Sequence, residues 1–127
     1  MIHGCLTWAS SQDNTQTNNQ TKNDFLIQKV AKTSNFIDRM RGLLFSSPLK
    51  ENEGLLIAPC SSVHTFGMRY AIDLVFLDKQ LTVVKTVKSL KPWRMAASNA
   101  YMVLELAANS LDTLNLTTGQ QLEWHDD

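Results

Sequence analysis

Between Phe25 and Trp124, short apolar runs alternate with polar breaks at close spacing. This is the pattern of many short strands rather than of long helices. Residues 25–31 are apolar and include β-branched Ile27 and Val30, which suits a strand. Asn35 then stands as a helix cap with Asp38 in the first turn. Phe36, Met40, Leu43 and Leu44 fall at i, i+4, i+7 and i+8, one apolar helix face, and Ser46-Ser47-Pro48 stops that helix. Residues 55–58 read as a short buried strand ended by Pro59, and residues 71–77 as the best strand of the chain. Asp78-Lys79-Gln80 is a hairpin turn into a strand over residues 81–87. Residues 92–99 read as a loop and residues 101–106 as another strand. Leu111, Leu114 and Leu116 form an apolar patch around a turn or short helix, and Gly119 turns the chain into a last strand at residues 121–124. The expected fold is mainly β: a compact β-sandwich or small barrel with one α-helix on its N-terminal side. With no repeat and no βαβ alternation, a parallel doubly wound sheet is not expected.

The first two dozen residues break this pattern. From Ser10 to Asn23 every residue is Ser, Thr, Asn or Gln except Asp13 and Lys22. Such a segment has nothing to bury and cannot offset the entropy of ordering itself. Residues 1–24 are therefore expected to be a disordered polar tail, and residues 25–125 a single β-rich domain. The opening octet has neither the basic start nor the apolar stretch of a signal peptide, which favours an untargeted, cytoplasmic protein. Gly4-Cys5 ahead of a polar tether is similar to the mature end of a bacterial lipoprotein. A lipid-anchored or periplasmic location is therefore the alternative if the natural N-terminus is longer. No apolar run approaches membrane-spanning length. Cys5 and Cys60 make neither a disulfide framework nor a zinc motif.

Charge sharpens the picture. The 127 residues carry twelve Lys and Arg against twelve Asp and Glu, which weighs against a dedicated nucleic-acid binder. The zero is a cancellation. Lys79, Lys85, Lys88, Lys91 and Arg94 run without an acid, and Glu105, Asp112, Glu123, Asp126 and Asp127 follow without a base. An anion-attracting patch is expected near Trp93 and Arg94.

The densest group of reactive side chains is Cys60-Ser61-Ser62-Val63-His64-Thr65-Phe66-Gly67-Met68-Arg69, between two apolar strands. Loops held by a rigid sheet commonly carry function. Cys60 and His64 are a candidate thiolate–imidazole pair, with Asp73 to orient the ring. The plainer alternatives are a small apolar filler for Cys60 and a local hydrogen bond for His64. One His, one Cys and one Asp leave a metal site a ligand short, so no metal and no cofactor is expected. His64, Thr65, Arg69, Trp93 and Arg94, with backbone N–H groups near Gly67, form the candidate ligand-binding set for a carboxylate, phosphate or sugar hydroxyls. Arg69 paired with Asp73 is the structural alternative. Glu105 lies in mid-strand, where an unpaired charge is costly. It is expected on the solvated side of its sheet, and is a candidate general base only if that side lines a pocket.

Several motifs recur together in one order. They are Gly42-Leu43-Leu44-Phe45, Gly54-Leu55-Leu56-Ile57, Cys60, and Val63-His64-Thr65-Phe66-Gly67-Met68-Arg69. Ile72-Asp73-Leu74-Val75-Phe76-Leu77-Asp78, Lys91-Pro92-Trp93-Arg94 and Val103-Leu104-Glu105-Leu106 follow. This set resembles Domain of Unknown Function 192, the uncharacterised ACR family, over about Phe25 to Glu123. The resemblance implies a compact, mostly β domain of jelly-roll-like character with a helix near its N-terminus. It implies no reaction. It places His64, Thr65, Met68, Asp73 and Glu105 in a shared pattern. Where the family pattern usually has Gly after the small residues that follow the Glu strand, this chain has Ala107-Ala108-Asn109, and Asn is the commonest substitute for a left-handed backbone.

The leading expectation is a small non-enzymatic domain that binds a small polar or anionic ligand, or a protein partner, in a cleft near residues 60–69. The rival is a Cys/His or acid/base enzyme using Cys60, His64, Asp73 or Glu105. A third reading, a nucleic-acid accessory domain through residues 79–94, requires Lys85, Lys88, Lys91 and Arg94 on one exposed face.

Overall fold

The computed structural model describes residues 2–9, 25–34 and 49–127. The helix expected from Asn35 and most of the polar tail lie outside the described residues. Nine strands follow in chain order: β1 (Ile2–Trp8), β2 (Phe25–Thr33), β3 (Glu53–Ile57), β4 (Ser62–His64), β5 (Ile72–Leu77), β6 (Val83–Leu90), β7 (Met95–Ala97), β8 (Met102–Ala107) and β9 (Leu122–Asp126). Among the described residues one short helix, α1 (Ser110–Leu114), stands between β8 and β9. The protein is mainly β, as its patterning indicates.

Seven strands form one mixed sheet in the order β6-β5-β8-β3-β2-β1-β9, and β4 and β7 form a two-stranded sheet of their own. All neighbours are antiparallel except β2 and β3, which run parallel from Lys29↔Glu53 to Thr33↔Ile57. The outermost strands of the large sheet approach each other at one corner. Thr82 bridges Gln121, and the Leu122 N–H donates to the Leu81 carbonyl at 2.9 Å. The Val83 N–H adds a bond to the Gln120 carbonyl and the Gly119 N–H one to the Val83 carbonyl, each at 2.8 Å, but β6 and β9 themselves do not pair, so the sheet curls without becoming a closed barrel.

Alternation along the central strands builds two cores. Val75 and Leu77 of β5 and Leu104 and Leu106 of β8 face inward with Leu6, Val30, Leu56 and Leu122. Ile72, Leu74 and Phe76 of β5 and Val103 of β8 face the other way, where Val63 of β4 and Ala96 of β7 cover them. The small sheet is thus a lid on the outer face of the large one.

Three sequence expectations are corrected here. Residues 2–8 belong to the fold: β1 pairs with β2 on one side and β9 on the other, and Leu6 is fully buried. The stretch expected as loop at residues 92–99 contains β7, which pairs Met95, Ala96 and Ala97 with His64, Val63 and Ser62. Glu105 is wholly buried rather than solvated. Opposite Leu55 of β3 and Leu74 of β5, it shares a face with Val103, and that face is the one β4 and β7 cover. The left-handed turn expected at Asn109 is present, with φ of 76°.

Candidate functional site

Thr65 organises the region that the sequence singles out. It is fully buried at the end of β4. Its hydroxyl donates to the Lys91 carbonyl at 2.6 Å and accepts from the Arg94 N–H at 3.0 Å. Its backbone N–H donates to the Arg94 carbonyl, and its own carbonyl accepts from Met68 and Trp93. One residue therefore clasps two turns, residues 65–68 and 91–94. Thr65 is placed as the clasp of the site, with its hydroxyl occupied by main chain.

The clasp fixes an aromatic row on the surface. His64, half-buried, lies 4.9 Å from Phe66 between ring centroids, and Phe66 stacks on Trp93 at 5.8 Å and 19°. Phe66 is 46%, Trp93 64% and Met95 65% exposed, and Met95 stands opposite His64 in the β4–β7 ladder. Trp93 has φ of 64°, a backbone state that bulky residues seldom adopt. The bonds to Thr65 hold it there, with the indole turned outward. Lys91 and Arg94 are exposed on the second of the two clasped turns, and Arg69 directly after the first. Among the described residues none of the three forms an ion pair; the Arg94 guanidinium reaches only the Trp93 carbonyl, at 3.4 Å.

The basic segment of residues 79–94 divides in space. Lys79 lies over the Tyr101 ring, Lys85 donates to the Ala97 carbonyl, and Lys88 pairs with Asp112 at 3.0 Å. Lys91 and Arg94 are left beside the aromatic row.

The other candidates make contacts of their own. Asp73 is buried on the inner face. One of its oxygens accepts from the Ser89 N–H and the other from the Leu111 N–H, each at 2.8 Å. The expected partners, Arg69 or the His64 ring, are replaced by backbone amides of β6 and of the start of α1. The Cys60 thiol donates to the Ser62 carbonyl at 3.1 Å. Glu105 is closed to solvent within the sheet. A cavity of about 420 Å³ opens elsewhere, lined by His3, Lys29, Glu53 and Asp127 among others, and contains none of the candidate residues. The described residues contain no group of three His, Cys, Asp or Glu side chains placed to hold a metal, and no helix long and apolar enough to cross a membrane.

Sequence reasoning missed Phe66 and Met95. Their signal was present: each is a large apolar residue inside a polar or basic segment, beside a residue already singled out.

A family model described as Uncharacterized ACR, DUF192, matches residues 15–124. A UPF0127 protein of Pyrococcus furiosus is 32% identical over 114 residues, spanning 84% of this chain and 96% of the relative. One from Thermococcus sibiricus is 30% identical over 113 residues, spanning 84% and 72%. In three dimensions the chain is similar to a candidate transcription regulator from Sinorhizobium meliloti, with a TM-score of 0.71 at 18% identity over 97% of this chain and 92% of that one. At that identity the likeness is one of fold.

Proposed function

The chain belongs to the DUF192 family of uncharacterised ACR proteins, a membership that brings no reaction with it, and we propose that it is a non-enzymatic binding domain whose β4–β7 arm receives an anionic partner. The carrying observation is the row His64–Phe66–Trp93, with Phe66 and Trp93 exposed, and with Arg69, Lys91 and Arg94 exposed on or directly beside the same two turns. Clustered exposed aromatics mark interaction surfaces, and cations that form no ion pair among the described residues are available to carboxylate, sulfate or phosphate groups. The rigid clasp at Thr65 adds to this, because side chains ordered before binding lose less entropy on binding.

Two contacts weigh against the enzymatic rival. A thiol that donates to a carbonyl uses its proton, whereas a cysteine nucleophile needs the thiolate. Asp73 spends both oxygens on main-chain amides.

Titration of the ¹⁵N-labelled chain with dextran sulfate tests the reading. Shifts are expected at Phe66, Gly67, Arg69 and residues 91–95, and they should weaken in Arg69→Gln and Arg94→Gln. If the polyanion leaves those resonances unmoved, or the shifts gather at another face, the proposal fails.

A further inference from the structure

Resting on that reading, we infer that the anionic partner is a lipid bilayer surface, with Phe66, Trp93 and Met95 entering the headgroup region while Arg69, Lys91 and Arg94 meet the lipid phosphates. The first ground is shape. The residues of the row line neither the cavity at His3 and Asp127 nor a smaller one at Leu26 and Leu114. Exposed side chains outside those cavities suit a deformable or flat partner better than a small molecule, which is held in a concavity.

The second ground is composition. Trp, Phe and Met at 46–65% exposure leave a large apolar area in water on one tip. Tryptophan and its aromatic kin favour the membrane interface, where a ring is buried and its polar edge stays wet. Met95 adds a flexible thioether that neither stacks on bases nor pairs with them. The rings of the row are partly spent on one another, with Phe66 between His64 and Trp93, so only the outer indole face is open to stacking. A single-stranded nucleic acid needs a longer track of open faces.

The third ground is charge complementarity. From Pro59 to Ile72, and again from Lys79 to Leu104, the chain has no Asp or Glu. The carboxylate between these stretches that lies closest to the arm in sequence, Asp73, is buried on backbone amides. The tip is thus locally cationic on a molecule of zero net charge, as a peripheral contact with anionic headgroups requires.

Co-sedimentation of the full chain with vesicles tests the inference. Vesicles of phosphatidylcholine alone are compared with equimolar phosphatidylcholine and phosphatidylglycerol at physiological salt. Three cations at the surface lead to a preference of about 100-fold for the anionic vesicles. Trp93→Ala should weaken that binding roughly 10-fold, and Arg94→Gln about 5-fold. Both positions are exposed, so each variant should keep the parent melting temperature. Because Trp8 and Trp124 also emit, Trp93 is read as the difference between the parent and Trp93→Phe, and lipids brominated near the headgroup should quench that difference. Absence of vesicle binding overturns the inference, as does binding that Trp93→Ala and bromolipid leave unchanged. Trp93-dependent binding of a single-stranded oligonucleotide, or Trp93-dependent dimerisation, in place of vesicle binding also overturns it. Dextran sulfate shifts without vesicle binding would sink the lipid assignment while leaving the binding domain standing; the absence of both removes both.

Discussion

The N–H of Trp93 donates to the carbonyl of Thr65 at 3.0 Å, which ties an outward indole at φ of 64° to a residue that water does not reach. An exposed ring in a disfavoured backbone state is held there by its surroundings rather than by its own burial. In this protein the surroundings are the carbonyl of one threonine and the stacked ring of Phe66.

Thr65→Val keeps the shape and deletes the hydroxyl. The Lys91 carbonyl and the Arg94 N–H each lose a partner. A destabilisation of about 1–3 kcal/mol is expected in urea denaturation, together with broadened Phe66 and Trp93 resonances. Thr65→Ser should restore most of both. Equal stability of the Val and Ser variants would show that the hydroxyl is not the clasp.

Asp73→Ala should cost about 2–4 kcal/mol, because it leaves the amides of Ser89 and Leu111 without their acceptor. Asp73→Asn, which retains one carbonyl oxygen, should cost less and expose whichever amide it abandons to faster hydrogen exchange. Unchanged exchange at both Ser89 and Leu111 would contradict the role.

Gly4 stands opposite Asp126 in the β1–β9 ladder. A Cβ there would overlap the His125 carbonyl oxygen and the Trp124 indole. Gly4→Ala should therefore force β1 and β9 apart and lower stability by about 1–3 kcal/mol. An unperturbed melting temperature would mean that residues 2–8 do not pair as described.

Burial pushes the Cys5 thiol above its ordinary pKa, and the Asp127 carboxylate adds to the effect. The folded state thus favours the neutral thiol, and the unfolded chain gives up its proton first. The resulting stabilisation is full below the ordinary thiol pKa and fades as pH rises through that value to the raised one. Denaturation midpoints measured from roughly pH 7 to 10 should fall more steeply for the parent than for Cys5→Ser. Parallel curves would refute the shift.

Much of the fold was legible locally. The strands at β5, β6 and β8 are runs of Val, Ile, Leu and Phe, and the turn between β5 and β6 is announced by Asp78. Its carboxylate takes the N–H groups of Gln80 and Thr82, each at 2.9 Å. Asn109 and Asn115 mark left-handed positions at the two ends of α1, where Asn is tolerated for its short polar side chain. The candidate loop was also visible, because His64, Arg69, Trp93 and Arg94 stand out in their segments. Other features had no local signal. β1 buries only Gly4 and Leu6, and its partners come from β2 and from β9, more than a hundred residues away. β7 is Met-Ala-Ala, a strand only because β4 lies beside it. The fate of Glu105 depended on what would pack over its face of the sheet, a property of the assembled sheets and not of the strand.

The sequence by itself determined the class of fold, the principal strands, the hairpin at Asp78 and the family, because each follows from patterns within a few residues or from motifs in fixed order. Only the tertiary structure decided that residues 2–8 join the sheet, that Asp73 serves the backbone, and that Phe66, Trp93 and Met95 stand together in the open. Those outcomes turn on which segments, remote in sequence, pack side by side. Alternation tells a residue which of two faces it takes, and only packing tells it what covers that face.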